Sequence, residues 1–256
     1  MKILVCNDDG VESVGLVELV QYLRADGHEV YVAAPKEQQS CKSNSMTLYE
    51  PLYFNKFAWN DEVIGYCIYG TPADCVKLAH NVIFKGIKFD YIISGINIGS
   101  NVGIDALYSG TISAAVEGSL LGIKSIAISM EEPNIEADYL FATGGKFIVD
   151  YLKRINSLEF PYGTILNINI PNIPYDKVKG FKYTKQGDIR YIDSYAERTS
   201  PRGRAYYWHH SNIKNLDTSP ISDYNVIKEG YISISPFTID RTNYEFLRNL
   251  EDDNRY

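Results

Sequence analysis

The first ten residues hold the pair of side chains with the clearest chemical potential. An apolar run with strand character, Ile3-Leu4-Val5-Cys6, leads directly into Asn7-Asp8-Asp9-Gly10. Neighbouring side chains of a strand point to opposite faces, so Asp8 and Asp9 can converge on one ion only where the chain turns, which Gly10 permits. Because two adjacent carboxylates repel each other, the pair favours a site for a hard cation such as Mg²⁺ or Mn²⁺. The alternative is an ordinary acidic turn.

Two later segments follow predicted strand ends and offer groups that bind phosphate. Residues 94–103 contain Asn97, Asn101 and three glycines; asparagine offers a neutral oxygen to a cation or an amide hydrogen to phosphate, and glycine allows close backbone approach. Residues 108–111, Tyr-Ser-Gly-Thr, begin a predicted helix whose free amides can cradle an anion. The first segment is also consistent with a tight loop and the second with a simple helix cap, and the sequence leaves both alternatives open.

A third polar segment follows the second predicted strand. Residues 38–45, Gln-Gln-Ser-Cys-Lys-Ser-Asn-Ser, are crowded with hydroxyls and amides and include Ser40. Polar loops of this kind are usually only solvated, so this segment is weak evidence by itself. All three segments, however, follow strands of what the pattern below predicts to be one sheet.

The first half of the chain alternates strand and helix patterns. Strands are predicted at 3–6, 29–34, 63–69, 90–96 and 125–130, and helices at 16–23, 71–84, 109–121 and 136–155. The expected fold class is therefore α/β, a Rossmann-like and mostly parallel sheet with helices on both faces, in which ligands bind beyond the carboxyl ends of the strands.

The second half changes character. A strand is predicted at 164–170, and from residue 179 onward the chain is rich in Tyr, Ser and Gly, with short strand signals near 204–208 and 231–235. No clean linker separates this region from the rest. We therefore expect one domain over 1–256, with an α/β core over about 1–155 that carries the site, a β-rich extension over about 156–256, and a frayed charged tail at 248–256.

Composition excludes several classes of function. The 256 residues are 45% hydrophobic and 22% charged, with a net charge of −7, which argues against binding a nucleic acid polymer. The N-terminus lacks a signal-peptide pattern and no stretch approaches the roughly 20 apolar residues of a membrane span, so we expect a cytoplasmic protein without membrane contact. The four scattered cysteines form no CxxC pair and are expected to be reduced.

The motif segments resemble one family, the SurE survival nucleotidases. The resemblance is carried by residues 5–10 (VCNDDG), Ala34-Pro35 with Ser40 and 44–45, 70–76 (GTPADCV), 94–97 (SGIN) and 108–111 (YSGT), with weaker likeness at 201–208 and 230–236. It implies a metal-dependent 5′(3′)-nucleotidase with broad phosphomonoesterase activity, often extending to short polyphosphate. It also implies metal ligands at Asp8, Asp9, Ser40 and Asn97, and a homodimer or homotetramer.

Two positions depart from the pattern expected of that family. Cys6 stands where threonine is usual, and Gln39-Ser40-Cys41 replaces Arg-Ser-Gly. Neither change removes a ligand. The loss of the arginine puts local steering of phosphate in doubt, and the loss of the glycine puts the shape of the loop in doubt.

The resulting hypothesis is transfer of a phosphoryl group to water. One Mg²⁺ or Mn²⁺ per subunit is expected at the four ligands, a nucleoside monophosphate or another phosphomonoester as substrate, and Asp8 and Asp9 as the catalytic pair, with Asp9 orienting or deprotonating the attacking water. The residues expected to contact phosphate are Asn97, Asn101, Ser109, Gly110 and Thr111.

Two alternatives remain. A phosphatase of haloacid-dehalogenase type uses an Asp nucleophile with its acid two residues away, whereas Asp8 and Asp9 are adjacent. A receiver-like Mg²⁺-binding signalling module needs a phosphoacceptor Asp after its third parallel strand and is about half as long as this chain.

Overall fold

The computed structural model describes residues 1–60, 63–133 and 138–253. Its strands are β1 Lys2–Cys6, β2 Glu29–Pro35, β3 Phe54–Asn60, β4 Val63–Ile68, β5 Tyr91–Ile98, β6 Lys124–Met130, β7 Thr164–Ile170, β8 Phe181–Tyr183, β9 Ile189–Thr199, β10 Ala205–Asn215 and β11 Ile232–Thr238. Its α-helices are α1 Val14–Ala25, α2 Pro72–Leu78, α3 Gly110–Leu120, α4 Phe141–Ile155, α5 Asp223–Lys228 and α6 Tyr244–Asp253. A π-helical turn at Ala79–Ile83 extends α2, and a 3-10 turn spans Gly103–Leu107.

One large sheet organises the chain, in the order β3-β4-β2-β1-β5-β6-β7-β11-β8. The strands from β4 to β7 in that order are mutually parallel, which confirms the predicted mostly parallel α/β fold. The outer strands differ in direction, since β3 is antiparallel to β4 and β11 is antiparallel to β7. Strand β1 lies at the centre, so the residues that follow it emerge in the middle of the carboxyl edge.

Helices cover both faces of the sheet, as the alternating side chains of β1 show. Ile3 and Val5 belong to a buried cluster that includes residues of α1 and α4, whereas Leu4 and Cys6 belong to a second cluster with residues of α2 and α3. An apolar side chain at every position of a strand is expected where both faces are buried. The two cores hold β1 rigidly, and with it the turn that contains the two acids.

The β-rich second half is divided between two structures. Strands β7, β8 and β11 join the large sheet, while β9 and β10 form a separate antiparallel hairpin. The sequence analysis did not identify β3, β8, β9 or the short helix α5. Among the described helices, none has the length and the apolar character that crossing a bilayer requires.

The predicted start of α4 near residue 136 lies outside the described residues; within them, residues 138–140 are irregular and α4 begins at Phe141. The tail expected to fray from residue 248 is instead helical as far as Asp253. Helix α6 has its apolar side chains on one side and buries none of them within this chain, a pattern typical of a helix that packs on a partner.

Candidate active site

The turn after β1 is built by Asn7. Its Nδ2 donates hydrogen bonds to the carbonyl of Gly10 (3.0 Å) and to Oγ of Ser13 (2.7 Å), and its Oδ1 accepts from the Gly10 N–H (3.3 Å). Gly10 has a φ of +102°, a conformation that other residues rarely adopt. The predicted departure from the strand therefore occurs at Asp8 and Asp9.

Asp8 is seated against the first residues of α3. The Thr111 hydroxyl donates a hydrogen bond to Asp8 Oδ1, and a Cβ added to Gly110 would lie 2.7 Å from Asp8 Cβ. Burial raises the pKa of Asp8 above its usual range, while hydrogen bonds from Thr111 and Gly110 oppose that shift. The start of a helix carries a partial positive charge, so this helix end favours a negative group at the position of the Asp8 carboxylate.

Asp9 is more open than Asp8 and makes different contacts. Its Oδ2 accepts the Ile98 N–H (3.1 Å), and its Oδ1 lies 3.5 Å from the Gln38 side-chain amide. Burial, and next the neighbouring charge of Asp8, raises the pKa of Asp9 to about 6. The two acids are thus close enough to repel, and a divalent cation between them would relieve that repulsion.

Asn97 lies at the end of β5, which pairs directly with β1. The side chain is 9% exposed, and its Nδ2 donates to the carbonyls of Ile98 (3.1 Å) and Gly99 (2.7 Å). With the nitrogen used in this way, Oδ1 is the atom of this amide that suits a cation. The structure therefore brings Asn97 to the edge at which Asp9 lies.

Ser40 lies in a loop that is anchored on both sides of the site. The Gln39 N–H donates to the Asp8 carbonyl (2.7 Å), and Ser43 donates from its N–H to the Tyr108 carbonyl (3.0 Å) and from its hydroxyl to the Leu107 carbonyl (2.8 Å). Ser40 falls between these anchors and is exposed. The loop is therefore part of the site region, and the role of the Ser40 hydroxyl as a ligand stays a prediction.

Asn101 is held by side chains that the sequence analysis missed. Its Nδ2 donates to Ser129 Oγ (2.8 Å), its N–H donates to Asn169 Oδ1 (2.7 Å), and its carbonyl accepts from Asn167 Nδ2 (2.8 Å). A detectable signal was present, because Asn167 and Asn169 interrupt an otherwise apolar strand of a parallel sheet. With its amide nitrogen bonded inside the protein, the predicted contact of Asn101 with phosphate remains untested.

Ser109 acts as the cap of α3. Its Oγ accepts the Ile112 N–H (3.1 Å), which is one of the two interpretations that the sequence left open. The Thr111 hydroxyl is likewise used inside the protein, on Asp8. Phosphate contacts from Ser109, Gly110 and Thr111 therefore stay a prediction, and the backbone N–H groups of Gly110 and Thr111 face the Asp8 carboxylate in this structure.

The candidate cation ligands are all oxygen atoms. Two carboxylates, one amide oxygen and one hydroxyl make a hard donor set of the kind that suits Mg²⁺ or Mn²⁺. In the part of the chain that the structure describes, no group of three or more His, Cys, Asp and Glu side chains is placed to hold a metal. The binding of a cation by Asp8, Asp9 and these neutral oxygens stays a prediction.

A cavity of about 680 Å³ opens beside Asp9. Its walls include Lys36 and Gln38 on one side and the Tyr139 ring on another, and this ring stacks on Phe141 with centroids 5.2 Å apart and planes 8° from parallel. Cavities that bury small ligands typically have volumes of about 300–1,000 Å³. The cavity is therefore large enough for the part of a substrate that extends from a phosphate at the acid pair.

Comparison with known proteins finds relatives that match nearly the whole chain. The model of the family "Survival protein SurE" matches residues 3–193. The chain is 44% identical to the 5′-nucleotidase SurE of Petrotoga mobilis over 98% of both chains, and 44% identical to that of Fervidobacterium nodosum over 98% of this chain and 96% of the relative. The crystal structure of SurE from Aquifex aeolicus superposes with a TM-score of 0.83 at 35% identity, over 98% of this chain and 99% of that one. The chain belongs to the SurE family.

Proposed function

We propose that this chain hydrolyses nucleoside 5′-monophosphates, and 3′-monophosphates, to nucleoside and phosphate with one Mg²⁺ or Mn²⁺ per subunit. As a member of the SurE family it is a phosphoric monoester hydrolase, and its relatives are named 5′-nucleotidases. The observation that supports the metal-dependent form of the proposal is the position of Asp8, at the N-terminus of α3, beside Asp9, whose carboxylate it repels.

In the proposed reaction, some residues hold the cation and others position the phosphate. A cation held by Asp8, Asp9, Asn97 and Ser40 would supply charge neutralisation and lower the pKa of a bound water. Ser109, Gly110 and Thr111 at the start of α3 would hold phosphoryl oxygens beside Asp8, and the dipole of this helix would stabilise the charge that develops on them. Asp9 borders the open cavity and is the carboxylate of the pair that can receive a proton from the attacking water.

The cavity beside Asp9 is the proposed position of the nucleoside. The stacked rings of Tyr139 and Phe141 form an aromatic wall, and the side chains of Val14 and Ile98 add exposed apolar surface at 62% and 43%. A base and a sugar present apolar faces with polar edges, which such walls accommodate. Cleavage of short-chain polyphosphate is a second reaction to assay, since it was expected from the resemblance alone.

Neither alternative from the sequence gains support from the described contacts. The position after β5, where a receiver module would carry its phosphoacceptor Asp, holds Asn97, and the adjacent acids do not have the spacing of the haloacid-dehalogenase pair. The match to relatives over 98% of the chain also favours an enzyme of the SurE type.

Phosphate release from AMP tests the proposal directly. The purified chain is incubated with AMP and Mn²⁺ or Mg²⁺, and we expect many turnovers that stop on addition of a chelator and resume when either metal is restored. Asp8→Asn should lower turnover by at least about a hundredfold, on the scale of lost electrostatic catalysis. Stoichiometric uptake of AMP without phosphate release, or full activity in metal-free protein, would contradict the proposal.

A further inference from the structure

Asp223 is a fully buried carboxylate that bonds to three backbone N–H groups. At the start of α5 it is 0% exposed. Its Oδ2 accepts the Gly103 N–H (2.9 Å), and its Oδ1 accepts the N–H groups of Gly187 (2.9 Å) and Tyr224 (2.7 Å). The carboxylate thus ties together segments of the chain that are 120 and 36 residues away in sequence.

Gly103 is in the middle of the segment that connects the two acids. This segment, residues 97–111, begins next to Asp9, where the Ile98 N–H bonds to its carboxylate, and ends at Asp8, which Thr111 contacts. It carries one candidate cation ligand at its start and the candidate phosphate amides at its end. Because Asp223 bonds to Gly103, it fixes the midpoint of this segment.

A second set of contacts holds the same point from the base of the β9–β10 hairpin. The Gln186 Nε2 donates to the Gly103 carbonyl (2.7 Å), and the Tyr191 hydroxyl donates to the Asp105 carboxylate. Gly103 has a φ of +51°, and a Cβ placed on it would lie 2.2 Å from the Ile189 side chain. The 3-10 turn at Gly103–Leu107 is therefore closely packed and has little freedom to shift.

We propose that Asp223 is a positioning residue for phosphate-ester hydrolysis, which acts by holding the 97–111 segment so that its two ends meet Asp9 and Asp8. The inference rests on the proposed function for its kinetic consequence, but its structural part does not. Side chains far from a reacting atom can affect the rate strongly, because a shift of about 1 Å in the position of a catalytic group lowers the rate on the order of a hundredfold.

The test compares Asp223→Asn with a control at the adjacent residue. Asparagine has nearly the same shape but replaces one acceptor oxygen by a donor, so one of the bonds to Gly103 or Gly187 must break. Ser222→Ala is matched, because Ser222 is also buried at this helix end and its Oγ has no hydrogen-bond partner among the described residues. For Asp223→Asn we expect kcat for AMP to fall by about tenfold or more, while the Kd for Mn²⁺ rises by a smaller factor, since Asp8 and Asp9 are unaltered and only Asn97 of the proposed ligands lies on the segment.

Hydrogen exchange gives a readout that does not depend on catalysis. We expect the amides of residues 103–107 to exchange faster in Asp223→Asn and to remain protected in Ser222→Ala. The catalytic constants of Ser222→Ala should equal those of the wild type. If Asp223→Asn lowers the melting temperature but leaves kcat and the exchange of this turn unchanged, Asp223 is only structural and the proposal is overturned. A wild-type protein that does not cleave AMP contradicts the proposed function, and the exchange experiment still decides whether Asp223 holds the segment.

Gln186→Ala provides a milder variant should Asp223→Asn fail to fold. The Gln186 side chain is exposed, so its removal leaves the core intact, but it takes away the bond to the Gly103 carbonyl. One such bond is worth about 1 kcal/mol, so we expect a decrease in kcat of about fivefold, faster exchange at residues 103–107 and a melting temperature lowered by about 2–4 °C. Faster exchange at residues 103–107 with an unchanged kcat would overturn the proposal, because it would show that the position of this segment does not affect turnover.

Discussion

Asp8 and Asp9 are neighbours in sequence but have different surroundings, and this difference assigns their roles. Asp8 is almost fully buried and accepts hydrogen bonds from the start of α3, so it is held in one orientation. Asp9 borders the cavity, and its pKa is raised to about 6 by burial and by the charge of Asp8. Asp8 is suited to anchor a cation, and Asp9 to exchange a proton.

The raised pKa of Asp9 predicts that this residue destabilises the metal-free protein at neutral pH. The folded pKa of about 6 lies above the value of 3.8 for a free side chain, so between these values the folded state binds more protons than the unfolded state. Stability contributed by this group is therefore lost as the pH rises from about 4 to 6. Asp9→Asn removes the charge and should stabilise metal-free protein at pH 7.5 by about 1–3 kcal/mol.

Thermal melts with and without metal check this prediction. In chelator, the advantage of Asp9→Asn over the wild type should be present at pH 7.5 and absent near pH 4. In saturating Mn²⁺ the order should reverse, because the wild type gains more binding free energy. Equal melting temperatures of the two metal-free proteins at pH 7.5 would show that Asp9 carries no electrostatic penalty.

Thr111 provides a second prediction at the scale of one residue. Thr111→Val keeps the shape but removes the hydroxyl that donates to Asp8, so the carboxylate loses a partner in a buried position. We expect turnover of AMP to fall by about tenfold or more, with a loss of stability of about 1–3 kcal/mol. Thr111→Ser retains the donor and should recover most of the activity. If Thr111→Val retained the full kcat, the hydroxyl of Thr111 would have no role in turnover.

At the scale of elements, helix α1 contacts the end of β5 without any spacer. A Cβ on Gly15 would lie 2.0 Å from the Ile96 carbonyl oxygen, which belongs to the backbone directly before Asn97. Helix α4 approaches the same residue through Gly144, where a Cβ would lie 3.0 Å from the tip of the Ile96 side chain. Two helices thus set the position of this strand end. Helix α1 packs on the rigid backbone of Ile96, and α4 packs on its flexible side chain.

We expect substitution by alanine to have different effects on stability at these two glycines. Gly15→Ala must push α1 away from β5, and overpacking of this kind costs about 1–3 kcal/mol, which outweighs the gain in helix propensity of up to about 1 kcal/mol. Gly144→Ala meets a side chain that can turn, so its stability should stay within about 1 kcal/mol of the wild type. Denaturant unfolding measures both, and equal stabilities would contradict the packing argument.

The elements also show what could be read from the sequence. The strands and helices of the parallel core were predictable because both faces are buried and capping residues such as Thr71 and Ser109 mark the helix starts. Strands β8 and β9 were not, since β8 is short and pairs with the distant strand β11, and β9 exposes most of its side chains and lacks an apolar alternation. At the site, residue type and spacing made the acid pair and Asn97 candidates, and the resemblance to the family supplied the prediction that they bind a metal. Asp223 was not, because its partner Gly103 is 120 residues away.

At the scale of the whole molecule, the β9–β10 hairpin stands apart from the sheet. Tyr207 and Tyr195 lie on one face of this ribbon and Tyr206 and Trp208 on the other, as the pairing register shows, and all four are exposed. A two-stranded ribbon is at best marginally stable in water by itself. The exposed aromatic rings on both faces indicate a surface that another protein chain covers.

The β-rich extension over about residues 156–256 is also the region expected to join subunits, and a truncation that tests this must begin beyond β11. Deletion from Phe237 onward would be the natural truncation from the sequence, but Phe237 belongs to β11 and pairs with Ile165 in the large sheet. That deletion would damage the fold of the subunit as well as any assembly. A truncation that starts after residue 240 removes α6 and keeps β11, so it separates the two effects.

We expect the full-length chain to be a homodimer or homotetramer joined through the hairpin and α6. Light scattering at micromolar concentration should give at least twice the mass of one chain, and a double substitution of Tyr207 and Trp208 by serine should shift the population toward monomer, because it removes large apolar contact area. Tyr162→Ser is the control, since Tyr162 is 70% exposed but lies outside the hairpin, and its substitution should leave the mass unchanged. A strict monomer for the wild type would refute this expectation and would leave the exposed aromatic ribbon to a partner other than a second copy of the chain.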